Sequence, residues 1–178
     1  MKYFSLQSPI KYSNLQQPTT VNMDNKQLIE KFYSAFAAGD AEGMVACYAD
    51  DIEFEDPAFG WLKGRDAKNM WRMLSANNKG VKVTASNIAA KNETGSADWV
   101  AEYVFSRTGR KVVNHVHAEF EFKDGKIIKH TDTFNAWKWA GQALGMSGYL
   151  LGWSAFMKNK IRQQTKGLLA KYNAKHDG

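Results

Sequence analysis

Apolar positions recur first at helical spacing and then, from Val81 onward, at every second residue. Asp24 with Gln27 three residues later predicts a capping box. Leu28, Ile29, Phe32, Tyr33 and Phe36 form one apolar stripe behind it. Gly39 ends that helix, and Asp40 is placed to cap a second, short one carrying Met44, Val45 and Tyr48. Ile52–Asp56 reads as a short strand stopped by Pro57. Gly60, Trp61 and Gly64 make a loop, while Ala67, Met70, Trp71 and Leu74 mark a third helix closed by Asn77, Asn78 and Gly80.

The period of two predicts three long strands, at 81–91, 97–107 and 111–123, with Thr108-Gly109 turning the second into the third. Asp124-Gly125 is a strong two-residue hairpin signal leading into a last strand from Lys126 to Phe134. Helices followed by an antiparallel meander argue for an α+β domain with its helices on one face of the sheet. After Trp137 the pattern turns helical again. Trp139–Met157 is 19 residues without a charge, long enough to raise a membrane span. Glycines at 141, 145, 148 and 152, with Gln142, Ser147 and Ser154, argue instead for a helix–turn–helix extension over a pocket mouth or a dimer surface. The organisation expected is a flexible arm over 1–22, a domain over 23–137 and a helical extension over 138–178.

Composition adds aromatic mass. Six Trp, seven Tyr and ten Phe in 178 residues exceed what a core of this size needs, and such a surplus either lines a cavity or simply fills the core. The net charge of +6 is concentrated at one end: residues 158–178 carry six basic side chains against Asp177, leaving 18 basic and 17 acidic residues before them. A phosphate-tracking face built into the folded body is therefore excluded, and no nucleic-acid partner is expected. The amphipathic basic stretch with Ile161, Leu168, Leu169 and Tyr172 leaves contact with a membrane surface open. The single cysteine, Cys47, forms no internal disulfide and reads as a small buried hydrophobe. With no basic-then-apolar leader over the first 22 residues, the expected location is cytoplasmic.

The candidate chemistry lies on the strands. Ile128, His130, Asp132 and Phe134 alternate onto one face of the last strand, where Asp132 would orient the His130 imidazole. Trp99, Ala101, Tyr103 and Phe105 share a face and predict a cavity wall, with Trp61, Trp71 and Tyr48 at its rim or roof. His115, His117, Glu119 and Glu121 could share a metal. Val116, Ala118, Phe120 and Phe122 make the better core-facing set, however, so parity sends the histidines outward unless a bulge near Asn114 reverses it. No metal and no cofactor are expected.

The stretch Leu28–Pro57, LIEKFYSAFAAGDAEGMVACYADDIEFEDP, resembles the opening of the ketosteroid isomerase and SnoaL-like cyclase group of the nuclear-transport-factor-2-like superfamily. The shared elements are the A-x-G-D helix junction, the Y-A-D-D expected to end the second helix, and the E-D-P on the first strand. DGKIIKHTDTF, at Asp124–Phe134, is similar to that group's final hairpin. The resemblance covers roughly residues 24–137 and implies a cystatin-like, cone-shaped domain with a pocket for a small apolar molecule. It implies that Asp56 is a proton-shuttling carboxylate and that Asp132 matches the proton-transfer Asp of the cyclases and limonene-epoxide hydrolases. Phe32 and Ala118 stand where the isomerases keep their two oxyanion-hole donors, and Thr131 where the hydrolases keep an Arg. Loss of such a donor costs ~3–4 kcal/mol, which argues against steroid isomerisation by that route. The catalytic set expected is Asp56, His130 and Asp132. The ligand-binding set is Phe32, Tyr48, Trp61, Trp71, Trp99, Tyr103, Asn114, Val116, Ala118 and Phe134. Three readings stay open: an acid–base enzyme, a non-catalytic module for an apolar or lipid-like ligand, and a structural dimerisation domain, with a homodimer expected in each case.

Overall fold

A computed structural model describes residues 24–76, 80–151 and 154–176. The arm expected over 1–22 and the helix end expected at Asn77 and Asn78 lie outside the described residues. Helix α1 (Asn25–Ala38) begins at the anticipated capping box: Asp24 Oδ1 accepts from the Gln27 amide at 2.7 Å, and Gln27 Oε1 accepts from the Asp24 amide at 3.2 Å. Gly39, at φ 71°, ends it in the left-handed conformation that a Cβ would strain. Asp40 then caps α2 (Ala41–Val45).

Strands β1 (Tyr48–Asp56) and β2 (Gly60–Lys63), helix α3 (Arg65–Ala76), and strands β3 (Lys82–Lys91), β4 (Thr94–Phe105), β5 (Arg110–Lys123) and β6 (Lys126–Phe134) follow, then helices α4 (Ala136–Leu144), α5 (Met146–Leu151) and α6 (Ala155–His176). The strands form one sheet in the order β2-β1-β6-β5-β4-β3. All neighbours are antiparallel except β1 and β6, which run parallel and make the sheet mixed. The meander returns its last strand alongside its first in the same direction, a long-range pairing that local periodicity does not specify.

Three local expectations are corrected. Tyr48 opens β1 instead of ending α2. Residues 60–63, read as loop, form β2. On β6 the buried residue is Ile127 rather than Ile128, because a register shift opposite Glu121/Phe122 changes the parity before His130. The Asp124-Gly125 turn has both residues at positive φ, 51° and 71°, as the predicted tight hairpin demands.

The core lies between α1, α3 and the inner face of the sheet, where Val116, Ala118, Phe120 and Phe122 alternate inward. The β4–β5 register runs without interruption through Asn114, so His115 and His117 remain exposed on the outer face. The uncharged stretch expected at 139–157 breaks at Gly145 into α4 and α5. No described helix is long and apolar enough to cross a membrane. Helix α4 closes over the end of β5 that extends beyond its pairing with β6. There Gln142 pairs with both the N–H and the C=O of Val113 (2.8 and 3.1 Å), and Thr108 Oγ1 donates to the Ala143 carbonyl. Helix α6 rests on α3 through buried Leu169 and through Asn173, which bonds Asp66 and Asn69, while Thr165 Oγ1 donates to the Ala58 carbonyl at 3.0 Å.

Candidate functional site

Rows of side chains run across the inner face. Phe54, His130 and Phe120 are neighbours on β1, β6 and β5. The parallel register that pairs Phe54 with His130 and Glu55 with Thr131 places Asp56 level with Asp132 when continued by one residue. Asp132 pairs in turn with Ala118, and Ala118 with Ala97. The site is therefore a row of two carboxylates and two alanines between rows of aromatic residues.

One hydrogen-bonded chain threads the interior. Trp71 Nε1 donates to Tyr48 Oη at 2.8 Å, and Tyr48 Oη lies 2.7 Å from His130 Nδ1. His130 Nε2 lies 3.1 Å from Asp132 Oδ1, which also accepts from Trp99 Nε1 at 3.1 Å. A neutral imidazole protonated on Nε2 satisfies every group: Tyr48 donates to Nδ1, and Nε2–H donates to the carboxylate. His130 is fully buried, and its ring is enclosed by Phe32, Tyr48, Phe54, Trp71 and Phe120 at centroid distances of 4.4 to 6.1 Å. With both nitrogens occupied, His130 positions Asp132 and has no free edge for a ligand.

Asp56 is held differently. It caps the β1–β2 turn, where its Oδ1 accepts from the Phe59 amide at 2.5 Å. Burial pushes its carboxyl up to about 7; the Asp132 charge adds to this, and the amides of Phe59, Ala58 and Gly60 oppose it. The carboxyl thus titrates near neutrality although it also has a structural task.

Phe32, Tyr48, Trp71, Trp99, Val116 and Ala118 all face the interior, and Tyr103, Asn114 and Phe134 are half-buried toward the α4 end. Tyr103 Oη there accepts from Trp139 Nε1 at 2.8 Å. Trp61 is the correction: it is 54% exposed and pairs with Glu55 on the outer face, because odd positions of this short strand point away from the core. One residue escaped the sequence reading. Tyr33 is buried beside Trp99 and Phe120, yet its hydroxyl has no hydrogen-bond partner among the described residues. Burial raises its phenol well above the ordinary value, and Asp132 and Tyr48 raise it further. The stripe Leu28–Phe36 had marked its burial; the signal available was that a core tyrosine requires a partner for its hydroxyl.

Elsewhere, a depression of about 910 Å³ opens beside α2 and β1, lined by Asp50, Glu53, Lys63, Lys68, Lys126 and Lys129 among others. Its ions pair with one another, as Lys68–Asp50 and Lys63–Glu53 do, which marks a solvated surface. Cys47 is buried, with burial pushing its thiol up, which suits an inert core position.

The family model described as SnoaL-like domain matches residues 29–130, more than half of the chain. The chain belongs to the SnoaL-like domain family. No protein of curated function matches it. Solved structures of similar shape include a candidate polyketide cyclase from Xanthomonas campestris pv. campestris, 22% identical, with 68% of this chain and 98% of that one covered at a TM-score of 0.56. An LEH-like epoxide hydrolase of M. tuberculosis is 21% identical over 74% and 92% of the two chains, with a TM-score of 0.53. TerC, co-crystallised with polyporic acid, is 17% identical over 61% and 88%, also with a TM-score of 0.53. At these identities the structures establish a shared nuclear-transport-factor-2-like fold. The matched region of this SnoaL-like domain ends at His130, so Asp132 and the whole C-terminal extension lie beyond it.

Proposed function

We propose that this SnoaL-like domain performs general acid–base chemistry on a small hydrophobic carbonyl or cyclic compound, with Asp56 carrying the proton. The observation that supports it is the placement of Asp56 level with Asp132 on neighbouring inner-face positions, together with a carboxyl that titrates at about 7. A group with that affinity is partly protonated and partly ionised at neutral pH, so it can both remove and return a proton. Asp132, fixed by Trp99 and His130, supplies the neighbouring charge. The two isomerase donor positions, Phe32 and Ala118, carry no hydrogen-bonding side chain; the free hydroxyl of Tyr33 is the donor available for a substrate oxygen. TerC, a neighbour in fold, holds a small molecule, which agrees with a small-molecule substrate class.

The test is hydrogen–deuterium exchange at the carbon next to the carbonyl of small cyclic ketones, followed by NMR in D2O. The parent chain should accelerate exchange with a midpoint near pH 7, and Asp56→Asn should lose on the order of 100-fold or more. Acceleration that survives Asp56→Asn undiminished would remove Asp56 from the reaction.

A further inference from the structure

Helix α6 bridges the β1–β2 and β4–β5 turns at one end of the sheet. Gln164 Oε1 accepts from Arg107 Nη1 at 3.1 Å, and the next residue, Thr165, donates to the Ala58 carbonyl. Arg162 stands one turn before Thr165, half-buried, with its stem and Nε against Gly60. A Cβ at Gly60 would lie 3.4 Å from Arg162 Nε and 3.6 Å from its Cζ, so the guanidinium fills the space that a side chain at position 60 would take. Gly60 pairs with Asp56, and directly opposed residues of an antiparallel pair share a face. Arg162 therefore continues the row of Ala118, Asp132 and Asp56 at its β2 end.

The fold makes no use of that cation. Arg162 Nε is enclosed without a hydrogen-bond partner, and the guanidinium forms no ion pair among the described residues. Asp56 takes its hydrogen bonds from the amides of Phe59, Ala58 and Gly60 instead. Helix α6 offers no countercharge: Lys158 and Lys166 stand four residues either side of Arg162 on one stripe, and residues 155–176 contain no acid. Like charges at that spacing destabilise a helix, and an enclosed guanidinium nitrogen without an acceptor adds to the cost. A bound anion relieves both.

We infer that the substrate of this site carries a carboxylate, and that Arg162 holds it while the apolar ring enters toward Asp56 and Tyr33. The inference rests on the acid–base reading for the place where the chemistry occurs, and it adds the substrate class: a small cyclic oxo acid. An arginine presents Nε and one terminal nitrogen as a planar fork, which the two oxygens of a carboxylate fill together. A neutral ketone would leave Nε without an acceptor. One guanidinium balances the single charge of a carboxylate, whereas a phosphate group brings about two. The cation is also needed at this place, because the Asp132 charge that acts on Asp56 would repel an anionic substrate as well.

The test is a calorimetric titration of the full chain with 4-oxocyclohexanecarboxylate and with its methyl ester, which share the ring ketone and differ in charge. The parent should prefer the acid by roughly 10- to 100-fold. Arg162→Gln should bring the ratio of the two affinities close to unity. Arg162→Lys, which keeps the charge without the fork, should give a ratio between those of the parent and the glutamine variant. Asp56→Asn should keep the preference for the acid while losing deuterium exchange next to the carbonyl. The two readings therefore fail separately: a parent that prefers the acid but exchanges nothing would remove the reaction and leave the carboxylate site standing. A parent without preference for the acid would overturn the inference, and so would either Arg162 variant if it kept the parent's ratio.

Discussion

His130–Asp132 and His117–Asp98 are two histidine–carboxylate pairs on opposite faces of one sheet, and the shorter contact belongs to the less consequential pair. His117 Nδ1 lies 2.7 Å from Asp98 Oδ1, across β4 and β5, with both side chains about half exposed. His130 Nε2 lies 3.1 Å from Asp132, with both side chains buried. At the outer pair, Asn87 and then His117 hold the Asp98 carboxyl below its usual range. Water can take over each of those hydrogen bonds. At the inner pair, Trp71, Tyr48 and Trp99 supply the remaining partners, and nothing replaces a lost one. Distance alone therefore does not identify a site; burial and the completeness of the surrounding network do.

The largest expected effect breaks the inner pair. His130→Ala removes a ring packed among five aromatic residues and strands both the Tyr48 hydroxyl and the Asp132 carboxylate, at a cost of about 3–5 kcal/mol by chemical denaturation. If this variant unfolded as readily as His117→Ala does, the contrast between the faces would be mistaken.

Next comes pH. The folded-state carboxyl of Asp56 sits at about 7, above its unfolded value, so the folded chain retains a proton that the unfolded chain has already released. Its contribution to stability is present below about pH 4 and is lost as the pH rises through 7. The parent should therefore lose on the order of 4 kcal/mol between these limits relative to Asp56→Asn, in which the amide still caps the turn. Parallel stability–pH curves for the two proteins would show that Asp56 is not held in the desolvated setting described.

The two faces were legible in the sequence to different depths. Strict alternation along 115–122 assigned Val116, Ala118, Phe120 and Phe122 inward and the histidines outward without any knowledge of neighbours. The network around His130 was not legible in this way. Tyr48 follows Met44 by four residues and Val45 by three, so it fits a helix as well as a strand, and only the pairing of β1 with β6 decides. That pairing also carries a register shift between Tyr48 and Glu53, which masks the period of two. Asp56 was expected from its place in the E-D-P motif, whereas its level with Asp132 depends on a parallel register set by the whole meander. Strand β2 escaped because four residues with a glycine at one end are too short to show a period.

Tyr33→Phe sharpens the same comparison from the side of function. In the fold its hydroxyl has no partner among the described residues, so removing it should leave stability unchanged or raise it by up to about 1 kcal/mol. If that hydroxyl holds a substrate oxygen, the variant should bind small ketones more weakly in a calorimetric titration while melting no earlier. A variant that melts several degrees lower with unchanged ligand affinity would make Tyr33 a structural residue.

The smallest effect belongs to the outer pair and is informative because it is small. His117→Ala leaves Asp98 with Asn87 and with water, and leaves the β5 backbone untouched, since Thr133 Oγ1 donates to the His117 carbonyl and not to its ring. Its unfolding midpoint should stay within the scatter of ordinary surface substitutions at pH 8. Any loss beyond that scatter should be erased by added salt, since both side chains of the pair are about half exposed. A salt-insensitive loss at pH 8 would mean that this face is covered in solution, in which case the exposed pair would share the constraints of the buried one.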